Sequence, residues 1–141
     1  MATRSDFEPD EWATLSFATI DTLMYLSIVQ PGFFDMLREA GQTGQFLAQE
    51  AAAATSTLVR DLAFDARQTH ERDKALNPAN VETPTLDRLT AASELVERKA
   101  PDELSAFRIF ILGIAETVAE AAGGVSPAEM HAIEKVRAAL G

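Results

Sequence analysis

Cysteine does not occur in this chain. Its absence rules out disulfides, thiolate nucleophiles and zinc–cysteine sites, and leaves the redox compartment undecided. Histidine is nearly as scarce, with only His70 and His131 present. A di-iron bundle needs Glu-x-x-His pairs on two helices, and neither His has a Glu three residues before it. His70, in QTHERDK, is surrounded by charge and reads as solvated surface, and His131, three residues before Glu134, reads as an exposed helix position. Gly-x-Ser-x-Gly is missing, so with no Cys and two His nucleophilic catalysis has little support. The glycine patterns that cradle phosphate are missing too, as is an EF-hand loop.

Positive charge is in short supply. Twelve Lys and Arg face 22 Asp and Glu, a net charge of −10. Such a chain repels phosphate backbones and anionic lipid, which argues against nucleic-acid and membrane-surface partners. Apolar runs are broken well short of a membrane span, so no membrane insertion is expected. The opening MATRSDFEPDEW has no apolar signal region, and the expected location is cytoplasmic. At 141 residues the simplest organisation is one domain over 1–141. A chain of that size can bury roughly 68–70% of its unfolded surface without staples.

Strand alternation is nearly absent, whereas helical periodicity and alanine are everywhere. The pattern predicts an all-α bundle of about six helices. The first covers 9–29, with Pro9 at its first position and Asp10 and Glu11 favoured by the helix dipole. Trp12, Leu15, Thr19, Leu23 and Leu26 form one stripe on it. Phe17, Met24 and Ile28 form a second, with Asp21 among them. A helix apolar nearly all round must be covered all round, by a bundle or by a dimer partner. Gln30-Pro31-Gly32 breaks the chain. Helices over 33–53 and 57–74 follow, the second with Leu58, Leu62 and Phe64 inward. Residues 75–85, ALNPANVETPT, have no helical period and read as the longest, mobile loop. A helix over 86–99 ends at Ala100-Pro101. The next, over 101–122, turns Leu104, Phe107, Ile111, Ile114, Ala115, Val118 and Ala122 to one side. Helices 9–29 and 101–122 are expected at the centre. In the last helix Ser126-x-x-Glu129 matches a capping box with Pro127 as first residue. Met130, Ile133, Val136, Arg137 and Leu140 recur behind it at helical spacing.

Carboxylates paired at i and i+4 are the remaining chemical signal: Asp35 with Glu39, Asp61 with Asp65, and Glu116 with Glu120. Like charges at this spacing destabilise a lone helix, so a compensating cation or basic partner is plausible. Two such pairs on facing helices would supply four carboxylates to a hard divalent cation, the only cofactor the composition suggests. Glu116 and Glu120 are the first such candidates, and Asp35 and Glu39 the second pair. The alternative for each is a solvated acidic face. Asp21 differs because its helical neighbours are apolar. It is either paired in the core with an Arg or a backbone group, or a buried acid available for catalysis.

Two segments have a similar plan: LSIVQPGFFDMLREA, 26–40, and AEAAGGVSPAEMHAIEKVRAAL, 119–140. Each runs from an apolar helix through a Gly-bearing turn into a helix with an early carboxylate. This resembles the tellurite-resistance TerB-like family, whose helical halves carry Ala-Asp-Gly and then Ser-x-x-Glu opening a helix. Ser126, Glu129, Ile133 and Leu140 match the second copy, and Gly32, Asp35 and Glu39 the first more loosely. Where the family has Asp before Gly, this chain has Pro31 before Gly32 and Gly123 before Gly124. The acidic residues associated with metal binding in the family are therefore missing at both turns. The glycine pair is left as a helix terminator. The resemblance implies a non-enzymatic stress-response module acting through a protein partner. A divalent-cation protein is the first alternative, and a small enzyme with Asp21 as its acid the second.

Overall fold

Proline and alanine place the helices before any packing is considered. The computed structural model describes residues 3–29, 43–54, 56–69, 81–120 and 127–141. Among them are six α-helices and no strand: α1 Pro9–Val29, α2 Thr43–Ala54, α3 Thr57–Thr69, α4 Glu82–Lys99, α5 Leu104–Glu120 and α6 Pro127–Leu140. Short 3-10 turns at Arg4–Asp6 and Pro101–Glu103 lead into α1 and α5. The all-α class and the element count agree with the periodicity. Pro9 and Pro127 each open a helix, where a missing N–H costs nothing.

The start of α1 is tied locally. The Glu8 N–H donates to Glu11 Oε1 at 2.8 Å, and the Trp12 N–H to the Glu8 carbonyl at 2.8 Å. From Leu15 to Leu26 nearly every side chain is buried, and only Phe17 and Met24 are half-buried. A bundle centre demands that all-round burial. α1 packs against α3, α4, α5 and α6, and α5 packs against all the others. These are the two helices expected at the centre. Buried Thr19 and Thr22 donate to the carbonyls of Leu15 and Ala18, so their hydroxyls bring no unpaired group into the core. Phe107, Phe110, Ile111 and Ile114 of α5 complete the interior. Fully burying a side chain of this size stabilises the fold by about 1.5–3 kcal/mol.

Two expectations are corrected. The helix expected from 86 begins at Glu82, so 82–85 are helical, not loop. Pro84 sits in the first turn, where proline is tolerated, and the Thr85 N–H donates to the Val81 carbonyl at 3.0 Å. Phe64 is 57% exposed rather than inward. The buried face of α3 is Leu58, Val59, Leu62 and Ala63, and at about 100° per residue Phe64 falls far from it. In α6 the inward stripe is Glu129, Ala132, Val136 and Leu140, while Met130 is 53% exposed. Val136 and Leu140 of the helical spacing read in the sequence are buried, and Glu129 and Ala132 join them. Phe110 is buried in addition to the expected face of α5, because that helix is covered on several sides. The expected segments 33–42, 70–80 and 121–126 lie outside the described residues, and with them the Ser126 cap.

Candidate functional site

α1 and α4 run antiparallel, and three polar links join them. Glu11 meets Lys99 at one end, Asp21 meets Arg88 in the middle, and Tyr25 meets Glu82 at the other. Position rises along α1 as it falls along α4, so one register satisfies all three.

The centre of the seam is Asp21. Its side chain is fully buried, and Arg88 Nη1 donates to its Oδ2. The Arg88 side chain is 31% exposed, and its guanidinium carbon lies 5.1 Å from the centroid of the Phe17 ring. Phe17 and Asp21 are one helical turn apart, so a single face of α1 supplies both a ring for the cation and its counterion. A carboxylate with no exposure is tolerated in a core only when paired. Asp21 is paired in the core with an Arg, one of the two roles expected of it. Thr85 Oγ1, on the facing side of α4, is buried and has no hydrogen-bond partner.

At the C-terminal end of α1, three helices meet at one oxygen. Glu82 Oε1 accepts from Tyr25 Oη at 2.9 Å and from Lys135 Nζ at 2.6 Å. The Lys135 hydrogen bond, followed by that from Tyr25, lowers the Glu82 pKa below its ordinary value. Burial, reinforced by the Glu82 carboxylate, pushes the Tyr25 phenol well above its ordinary range. Tyr25 is therefore protonated and donating, not a poised acid or base. At the other end Glu11 is lowered, first by its hydrogen bond with Lys99 and next by the Glu8 N–H.

Three further carboxylates, Asp65, Glu103 and Glu50, are also engaged between elements. Asp65 Oδ2 accepts from Trp12 Nε1 at 2.7 Å and pairs with Arg4 at 2.9 Å. This fixes α3 and the first 3-10 turn against α1. Glu103 accepts from Ser56 Oγ at 2.6 Å. Glu50 accepts from Thr117 Oγ1 at 2.6 Å. Its other oxygen lies 2.7 Å from where a Cβ on Gly113 would be, so the carboxylate rests on the α5 backbone where a side chain is missing.

The four metal candidates are only partly placed. Glu116 is exposed on α5. Glu120 ends that helix, but its side chain lies outside the described residues, as do Asp35 and Glu39 entirely. Among the described residues no group of three or more His, Asp or Glu is arranged to hold a metal ion. His131 is exposed, as expected, and His70 is not described. No helix among the described residues is long and apolar enough to cross a membrane.

Sequence reasoning missed Arg88, Glu82, Glu50 and the Trp12–Asp65 bond. Arg88 and Glu82 are separated from their partners by 67 and 57 residues, and nothing in a helical period selects one distant helix over another. Glu50 carried a local clue, since Gly113 interrupts an otherwise bulky helix. A helical glycine often marks a close approach. No family model, curated protein or solved structure matches the chain.

Proposed function

We propose that this chain is a non-enzymatic cytoplasmic helical module of the TerB-like kind, acting in a stress response through a protein partner. The observation that carries this reading is the state of Asp21. The most buried carboxylate among the described residues is held by Arg88 within a packed helix contact. Tyr25 is likewise committed to Glu82. Asp21 and Tyr25 are thus both occupied in joining helices, which supports a binding role over catalysis. The TerB-like assignment itself rests on the Ser126-x-x-Glu129 helix start and the two similar segments.

The test places a photo-crosslinking residue at Phe64, Ile109 or Met130, the exposed large apolar positions on α3, α5 and α6, and at Glu97 as a polar control. The expected result in cells is a discrete adduct from one apolar position and none from Glu97. No adduct, or equal adducts at every position, overturns the partner reading.

A divalent-cation reading keeps one specific observation. Glu50 reaches Gly113 and Thr117 of α5, so a carboxylate from α2 contacts the helix that carries Glu116. Thermal melts of chelator-stripped protein against Mg²⁺, Ca²⁺ and Mn²⁺ decide it. An ion present at 100 times its dissociation constant adds about 2.7 kcal/mol of stability. A selective rise in Tm lost in Glu50→Gln with Glu116→Gln establishes binding. A flat response removes it.

A further inference from the structure

We draw no further inference here: the strongest candidate, the outward stripe of α5 that carries exposed Ile109 with half-buried Leu112, is an apolar face with nothing among the described residues to show what covers it.

Discussion

The Asp21–Arg88 pair makes the most exacting prediction. Arg88→Met keeps a side chain of similar length over Phe17 but leaves the Asp21 carboxylate buried without its guanidinium. Breaking a buried pair from one side costs about 3–5 kcal/mol. The low end applies, because the Arg88 side chain is 31% exposed and water reaches that side of the pair. Asp21→Leu costs less, about 1.5 kcal/mol, since the guanidinium it frees can turn to solvent while a charge-assisted hydrogen bond is lost. The double variant has no charge to leave stranded and should lose no more than about 2 kcal/mol, as replacing a buried pair by apolar residues is often neutral. The coupling energy is then at least about 2.5 kcal/mol, and the Arg88→Met Tm falls on the order of 10 °C. Urea titrations of the four proteins, read as shifts of midpoint at constant slope, measure the cycle. Additive losses, with coupling under about 0.5 kcal/mol, would refute the claim that this pair holds α4 to α1.

Two further predictions use single-residue signals. Tyr25 is the only tyrosine, so tyrosinate absorbance reports it alone. It should ionise above the ordinary value of 10.0 in the folded protein, and Glu82→Gln should bring it partway back. Titration near 10.0 with the fold intact would contradict its burial and its bond to Glu82. Because the Glu82 pKa is lowered in the folded state, the stability it contributes is present above 4.5 and lost as pH falls through the lowered value. The urea midpoints of wild type and Glu82→Gln should therefore converge only below pH 4.5. At Gly113, alanine adds about 1 kcal/mol of helix propensity but displaces Glu50, whose bond to Thr117 is worth a similar amount. Gly113→Ala should be close to neutral alone and stabilising by about 1 kcal/mol in a Glu50→Ala background. A large loss in both backgrounds would mean that backbone, not Glu50, fills the space.

Local signals survived folding where they depended on neighbours in the chain. α1 runs over the full expected range because Pro9 and the early acids act within one turn. They failed where a choice between faces was left to packing. Phe64 looked inward as an apolar residue at acceptable spacing, yet the facing helices cover a different arc of α3. Glu129 shows the converse, a charged residue buried because its position, not its chemistry, points at the core. Pro84 misled because proline and asparagine just before it read as loop, although the first turn of a helix accepts proline.

The sequence by itself determined an acidic, cysteine-free, all-helical chain with two helices too apolar to lie on a surface. Composition and the period of a single helix depend on covalent neighbours, and those are written in order. Only the tertiary structure decided that Asp21 meets Arg88, that Tyr25 and Lys135 share Glu82, and that Glu50 lies over Gly113. Each joins residues more than fifty positions apart, and each depends on the angle and register at which two helices meet. Register is chosen by the sum of all contacts along an interface, so no single residue or local motif carries it.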